Sequence, residues 1–225
     1  LIADSDASLG DDDSPSLVWM TVTITNLLDV GLEDLTANTS GTSISASFNA
    51  VTGIFSLIGA DTPLNYEQVL RTVHYDNTSQ NPSNTPRALE IVANDGESNS
   101  NPATATVVVI PVNDAPTAVN NSVVTDEDTS YSFTLTDFNF SDVDADSLTQ
   151  VKITSLESNG SLQLSGVDVT LDQEIQATAI SSGSLTFTPA PNAHSAAYDT
   201  FGFQVHDGTI YSVAGYTMTI DVTSV

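Results

Sequence analysis

Period-two alternation of apolar and polar residues runs through most of this sequence and constrains its fold more than any other feature. Four stretches show it clearly, with apolar residues at every second position: residues 18–24, 131–135, 201–205 and 216–222. Successive side chains of a β-strand point to opposite faces, so this pattern predicts strands with one buried face. In the first stretch it predicts that Val18 and Met20 share the buried side, with Trp19 on the other. The chain is therefore predicted to be all-β.

Turn-forming pairs separate the predicted strands at the short intervals typical of a β-sandwich. The pairs are Asn159-Gly160, Asp95-Gly96 and Asp207-Gly208. Residues 65–73 have apolar side chains at helical spacing and predict one short helix, and a strand through residues 70–75 is the alternative.

Recurring acidic motifs divide the chain into two related halves. Asp4-Ser5-Asp6 matches Asp142-Val143-Asp144, and the Asp95-Gly96 corner matches Asp207-Gly208. These matches predict two domains, residues 1–112 and residues 113–225.

The predicted strands of the two halves match only in part. A strand predicted at residues 104–112 corresponds to one at residues 217–225. The second half also has a leading strand, residues 120–136, before its D-x-D motif. The first half has no counterpart, so the first strand of domain 1–112 is missing and is predicted to lie upstream of Leu1.

The charge of the chain is strongly acidic, with 29 Asp and Glu against 3 Lys and Arg and a formal net charge of −26. Nucleic-acid binding is excluded, because nothing could neutralise the phosphates. No stretch is long enough to cross a membrane, so no membrane insertion is expected. A compact domain this acidic repels itself, which favours bound cations. The absence of cysteine is compatible with a secreted bacterial protein that uses metal ions in place of disulfides.

Four acidic clusters lie at predicted strand ends, where carboxylates can provide the six to eight oxygen ligands that Ca²⁺ prefers. They are Asp4/Asp6, Asn113/Asp114, Asp126–Asp128 and Asp142/Asp144/Asp146. In an extended loop the D-x-D spacing puts two carboxylates on one side, with Cα atoms about 7 Å apart, and a cation between them relieves their repulsion. A solvated loop is the alternative for each cluster; it is favoured for Asp11–Asp13, and the choice is open for Asp146.

Five strings together resemble the cadherin-like tandem repeats of large bacterial surface adhesins, including the RTX type. They are VNDAP (112–116), DEDT (126–129), SDVDAD (141–146), LTFTPAPN (185–192) and FGFQVHDG (201–208). The first half is similar to a variant of the same repeat through residues 41–77 and VANDG (92–96). The resemblance implies two tandem Ig/cadherin-like Greek-key β-sandwiches joined end to end, with Ca²⁺ bound where successive domains meet.

The resemblance also implies three groups of metal ligands. The junction group is Asn113, Asp114, Asp142, Asp144 and Asp207; Glu127 and Asp199 face the opposite pole, and Asp4, Asp6 and Asp95 face a preceding domain. The sequence lacks the Asp-x-Asn-Asp-Asn linker of animal cadherins, and its first domain lacks their Asp-Arg-Glu motif. One or two ions are therefore expected at the junction.

These features predict a calcium-rigidified structural segment of an extracellular bacterial adhesin, whose partners are neighbouring repeats of the same polypeptide. No enzymatic activity is expected, because the sequence contains no Gly-x-Ser-x-Gly elbow and no phosphate-binding loop. Two alternatives stay open. One is a glycan- or peptide-binding module, suggested by Trp19 and the polar loop 77–86, and the other is a fibre subunit in which a neighbour donates the missing strand.

Overall fold

The computed structural model describes residues 2, 7–10 and 14–225, and the chain divides into two compact units, residues 1–112 and 113–225. Both units consist mainly of β-strands. The predicted all-β sandwich class is confirmed. None of the helices in the described residues is long and apolar enough to cross a membrane.

The first unit combines a five-stranded sheet with a smaller sheet and a helix. In chain order its elements are β1 (Leu17–Ile24), β2 (Glu33–Thr36), β3 (Ser45–Asn49), β4 (Ile54–Asp61), α1 (Pro63–Leu70), β5 (His74–Asn77), β6 (Arg87–Asn94) and β7 (Ala103–Val107). The large sheet has the order β3-β4-β1-β6-β7, and β2 pairs with β5. Its core is formed by the inward side chains of β1, β4 and β6, which pack with Leu35 of β2 and the apolar face of α1.

Strand β1 follows the predicted alternation except at its start. Met20, Val22 and Ile24 are buried as expected. A register shift opposite β4 lies between Leu17 and Trp19, so Leu17 is buried while Val18 is 37% exposed. The prediction that Val18 shares the buried face of Met20 is wrong, because a β-bulge adds one residue and reverses the side-chain direction.

Helix α1 confirms the predicted helical stretch, although it begins earlier, at Pro63. The Thr62 hydroxyl caps it by accepting a hydrogen bond from the Asn65 amide at 3.3 Å. Proline suits the first turn, where its missing N–H has no intrahelical partner to lose. The helix buries Tyr66, Val69 and Leu70 against the sheet. The alternative strand at residues 70–75 is wrong, since β5 begins only at His74.

Gly59 occupies a position that excludes any side chain. Its φ is +146°, and an added Cβ would lie 2.2 Å from the carbonyl oxygen of Ser43. We expect Gly59→Ala to lower the free energy of unfolding of the first unit by about 3 kcal/mol. Gly41 is the matched control, because its φ is +83° and nothing lies within 4 Å of the added carbon. Urea denaturation should show a loss of only about 1 kcal/mol for Gly41→Ala, and equal losses for the two variants would contradict the clash.

The second unit is a sandwich of a five-stranded and a four-stranded sheet. Its elements are β8 (Asn121–Asp126), β9 (Tyr131–Ser132), a 3-10 helix (Leu135–Phe138), β10 (Gln150–Ser155), β11 (Ser161–Leu164), β12 (Val167–Asp168), β13 (Glu174–Gln176), α2 (Ala177–Ser181), β14 (Leu185–Thr188), β15 (Ser195–His206) and β16 (Tyr216–Thr223). The sheets have the orders β13-β10-β15-β16-β8 and β12-β11-β14-β9. Both sheets contribute to one core, which is rich in phenylalanine.

Two predicted strands are shorter in the structure. The leading strand at residues 120–136 divides into β8 and β9, because the Asp137 carboxylate accepts a hydrogen bond from the Thr134 amide at 2.7 Å and starts the 3-10 helix. The strand predicted at residues 104–112 ends at Val107. Its partner β6 begins opposite, at Arg87, so the residues after Val107 have no β6 residue to pair with.

Candidate metal site

The candidate metal site lies where the chain enters the second unit. An isolated antiparallel bridge joins Thr117 to Ser141, with each amide donating to the other's carbonyl at 2.8 Å. Pro116 is buried beside it. The bridge holds the entering segment, residues 113–117, against the loop that begins at Asp142, and it therefore positions the two acidic clusters next to each other.

Asp142 organises the loop that follows the bridge. Its Oδ1 accepts hydrogen bonds from the backbone amides of Asp144 at 2.8 Å and Asp146 at 3.3 Å. This turn brings one carboxylate oxygen each of Asp142, Asp144 and Asp146 within 4.8 Å of one another. The structure thus adds Asp146, which the sequence left open, to the D-x-D pair.

A chain of hydrogen bonds connects this loop to the entering segment. The Asp114 amide donates to Asp144 Oδ2 at 2.7 Å. Asn113 Nδ2 donates to Asp207 Oδ2 and to the Asp114 carbonyl, each at 2.9 Å. The structure therefore brings together all five residues of the junction group.

Asp207 is held in a tight corner after β15 and is only 6% exposed. Its Oδ1 accepts from the amides of Thr209 at 2.6 Å and Ile210 at 2.7 Å. Burial by itself raises the pKa of this carboxyl, but the hydrogen bonds from Asn113 and from the two amides outweigh it, so the pKa lies below the usual 3.8. Asp207 is therefore ionised at neutral pH.

Asp95 forms the same corner in the first unit. Its Oδ1 accepts from the amides of Glu97 at 2.9 Å and Ser98 at 2.8 Å. The repeated Asp-Gly motif thus corresponds to a repeated turn. Asp4 and Asp6, the predicted metal-binding neighbours of Asp95, lie outside the described residues.

The carboxylates of the junction group and of Asp146 form no ion pair within the described residues, although the nearby His206 helps to lower the pKa of Asp207. None of the ion pairs found within the described part of the chain involves Asp114, Asp142, Asp144, Asp146 or Asp207. Asp142 Oδ2 is also buried and accepts no hydrogen bond. A buried carboxylate oxygen without a partner is unfavourable. Clustered oxygen donors of this kind fit a hard divalent cation.

The acidic residues predicted for the opposite pole have protein partners instead. Glu127 Oε2 lies 3.1 Å from His194 Nδ1, and its Oε1 accepts from the Val225 amide at 3.1 Å. Its neighbours Asp126 and Asp128 accept from Thr223 Oγ1 at 2.5 Å and the Asn192 amide at 2.9 Å. A metal role for Glu127 stays a prediction.

Asp199 acts as a buried anchor for the turn before β11. It is 5% exposed, and both of its oxygens accept hydrogen bonds from the backbone. The donors are the amides of Ser158, Asn159 and Thr200, at distances from 2.6 to 3.1 Å. These contacts give Asp199 a structural role, and its predicted metal role stays a prediction.

Sequence reasoning missed Glu157 in the same turn. Its Oε1 accepts from the Leu162 amide at 2.9 Å, and its Oε2 is buried without a hydrogen bond. The sequence contains no signal for it, because Glu157 is an isolated acidic residue outside the repeated motifs.

Several solved structures are similar to this chain at low identity. A human mucin-like protocadherin (EC1-2) has 15% identity and a TM-score of 0.41, with 87% of this chain and 86% of that chain covered. Drosophila N-cadherin (EC1-3) has 10% identity and a TM-score of 0.25, with 96% and 57% covered. An endo-fucoidan hydrolase from glycoside hydrolase family 107 has 16% identity and a TM-score of 0.31, with 86% of this chain and only 24% of the hydrolase covered. These TM-scores are too low for the similarities to carry any functional argument.

The family match covers residues of the second unit. No curated protein matches this sequence. Residues 113–223 match the family model described as the bacterial Ig domain. The second unit, which contains the candidate metal site, is therefore similar to the bacterial Ig domain family.

Proposed function

We propose that the second unit binds Ca²⁺ at the junction group and that the chain is a calcium-stiffened structural segment of an extracellular bacterial adhesin. One observation carries the metal assignment. Asp142 Oδ2 is buried without a hydrogen bond, in a group of carboxylate oxygens that lie within 4.8 Å of one another. A cation at this group would supply the missing partner.

The residues with oxygens available to the ion are the three loop carboxylates and the groups that hold the entering segment. The loop carboxylates are Asp142, Asp144 and Asp146, and the holding groups, which are linked to the loop by hydrogen bonds, are Asn113, Asp114 and Asp207. Bound Ca²⁺ would neutralise the mutual repulsion of these carboxylates. Because Asp144 and Asp207 are hydrogen-bonded to Asp114 and Asn113, ordering the loop also orders the segment that enters the unit.

The mechanical role follows from that coupling. Without the ion, repulsion between carboxylates opposes the contacts that hold residues 113–117. With it, the direction in which the chain enters the second unit is fixed. Extracellular Ca²⁺ modules have dissociation constants of about 10⁻⁴–10⁻³ M, which suits the calcium concentrations outside cells. The bacterial Ig match supports an extracellular location. The partners in this proposal are neighbouring repeats of the same polypeptide.

Calcium titration of the full chain tests the proposal. By calorimetry we expect one or two ions to bind with a Kd of about 0.1–1 mM. Calcium at about twenty times Kd should stabilise the second unit by about 2 kcal/mol relative to chelator, seen as a higher melting temperature. Sodium chloride at the same ionic strength is the control, because general charge screening would act equally in the sodium and the calcium solutions. Identical melts in calcium and in EDTA would refute the proposal.

The glycan-binding alternative gains no support from Trp19. This residue is half-buried in β1, where it is opposite Ile58 of β4 on one side and Asn94 of β6 on the other. Its position in the middle of a sheet differs from that of a side chain presented on a loop for sugar stacking.

A further inference from the structure

One residue of the candidate metal loop, Ala145, has a left-handed backbone. Its φ is +65°, a conformation in which the Cβ of an L-residue lies too close to the following carbonyl oxygen. Ala145 is exposed, so burial of its methyl group does not offset this cost. Backbone strain of this kind persists where the surrounding structure imposes it, and it is concentrated at binding sites and switch segments.

Most other left-handed positions of the chain hold residues that tolerate this conformation. Among the described residues, four of the seven non-glycine residues with positive φ are Asp or Asn, whose short polar side chains can bond locally: Asp128, Asn139, Asp172 and Asn192. The Asp-Gly corners use glycine, with φ of +105° at Gly96 and +115° at Gly208. Ala197, the other left-handed alanine, lies in a bulge of β15 where its amide donates to Asp221 Oδ1 at 2.6 Å. The alanine of the metal loop is therefore an unusual choice.

The left-handed turn at Ala145 closes the loop. Asp142 Oδ1 accepts from the amides of Asp144 at 2.8 Å and Asp146 at 3.3 Å, which lie on either side of Ala145. A residue in the left-handed conformation lets neighbouring amides point at one oxygen. The same turn brings one carboxylate oxygen of each of the three acidic residues within 4.8 Å of the others.

This closed arrangement combines two unfavourable contributions. One is the backbone strain at Ala145, and the other is the repulsion among three carboxylates, with Asp142 Oδ2 buried without a hydrogen bond. The hydrogen bonds to Asp142 Oδ1 oppose them, although the one from Asp146 is long at 3.3 Å. A cation among the carboxylates removes the repulsion and shifts the balance toward the closed loop. The strain at Ala145 remains and weakens the binding of the ion.

We propose that Ala145 is a positioning residue that makes residues 142–146 a calcium-driven switch, open without the ion and closed around it. The inference rests on the calcium site proposed above and adds the residue that sets its affinity. Because Asp144 Oδ2 accepts from the Asp114 amide at 2.7 Å, opening the loop also releases the segment that enters the unit. Alanine keeps the affinity low enough for the switch to respond at extracellular calcium concentrations.

Calcium titration of two glycine variants of the full chain tests the proposal. Ala145→Gly should lower the Kd for calcium roughly fivefold, because glycine adopts the left-handed conformation without the steric cost. Val143→Gly is the matched control, because Val143 lies in the same loop and is 51% exposed but has no positive φ. Extra backbone freedom there should raise the Kd roughly threefold. A change in the same direction in both variants would overturn the proposal.

Measurements in EDTA show in which state the strain acts. The open loop is unstrained at residue 145, so Ala145→Gly should raise the melting temperature of the second unit in calcium and leave it unchanged in EDTA. The amides of Asp144 and Asp146, which close the loop through Asp142, should exchange their hydrogens fast in EDTA and slowly in calcium. Equal rises in melting temperature in the two solutions, or protected amides in EDTA, would contradict the switch.

The result for Ala145 is separable from the result for the calcium site itself. If the natural chain binds no calcium, both proposals fail. If the natural chain binds calcium but Ala145→Gly leaves the Kd unchanged, the site stands and the switch is refuted.

Discussion

Replacing Arg87 with methionine is expected to lower the free energy of unfolding of the first unit by about 4 kcal/mol. Arg87 is 0% exposed and lies between two acidic residues, with Nε donating to Glu33 and Nη2 donating to Asp29. Its Nη1 donates to the Ser83 carbonyl at 2.7 Å, which holds the loop before β6. Methionine matches the length of the side chain but leaves the Glu33 and Asp29 carboxylates without a countercharge.

The environment of Glu33 explains the large expected effect. Glu33 is 2% exposed and also accepts from the Tyr75 hydroxyl at 2.8 Å. Burial and this contact with Glu33 raise the pKa of Tyr75 to about 12. Burial lowers the pKa of Arg87, but the hydrogen bond and charge of Glu33 outweigh it and the net shift is upward. Arg87 is therefore charged, and removing it leaves the Glu33 side chain buried without this partner.

Urea denaturation with two further variants separates charge from packing. Arg71→Met removes a partly exposed ion pair with Glu67 and should cost about 1 kcal/mol or less. Adding Glu33→Gln to Arg87→Met should recover part of the stability, because it removes the stranded charge. If Arg87→Met lowers the free energy of unfolding no more than Arg71→Met does, the buried network of Arg87, Glu33 and Asp29 is not a main source of stability.

Asp142→Asn is expected to remove most of the stabilisation of the second unit by calcium. Asparagine keeps an Oδ1 that can accept from the amides of Asp144 and Asp146, so the turn is retained. It replaces the buried, unpartnered Oδ2 with an amide nitrogen, which cannot bind a cation. Calcium affinity should fall by about tenfold or more, equivalent to about 1.4 kcal/mol.

The change in melting temperature caused by Asp142→Asn is expected to have opposite signs with and without the ion, which distinguishes loss of the site from general destabilisation. In EDTA the Asp142→Asn variant should melt at or above the temperature of the natural sequence, because one uncompensated carboxylate is gone. In calcium it should melt below. Asp172→Asn is the control, since Asp172 is exposed, has a positive φ of 61° that asparagine tolerates, and carries the same charge. An equal loss of calcium affinity in both variants would indicate a general charge effect instead of a site.

Local patterns in the sequence predicted much of the fold. Alternation predicted β1, β15 and β16, and helical spacing predicted α1. The bulge that exposes Val18 was not predictable, because it depends on the register against β4. The early end of β7 likewise depends on where β6 begins.

The candidate site was predictable where its residues lie in repeated motifs. The D-x-D pair and the Asp207 corner are short-range features, and the structure brings them together with Asn113 and Asp114. The orphaned oxygen of Asp142 depends on the packing around the loop and has no sequence signal.

The Arg87 network shows a different limit of sequence reasoning. Its partners Asp29 and Glu33 are more than fifty residues away, and only the rarity of basic residues in the chain singles Arg87 out. Counted back equally far from the Asp95-Gly96 and Asp207-Gly208 corners, Arg87 corresponds to Asp199 in the second unit. Asp199 anchors a loop through backbone amides, whereas Arg87 anchors one through a backbone carbonyl. The two units thus fix a loop from corresponding positions with opposite types of side chain, and only the burial and hydrogen bonds of the two residues reveal that shared role.

An anomalous difference map from crystals of the chain grown in calcium would locate the ion proposed at Asp142. We expect a peak about 2.3–2.6 Å from Asp142 Oδ2 and within coordination distance of Asp144 and at least one of Asp146, Asp207 and Asn113. A well-ordered loop at residues 142–146 without such a peak in saturating calcium would contradict it.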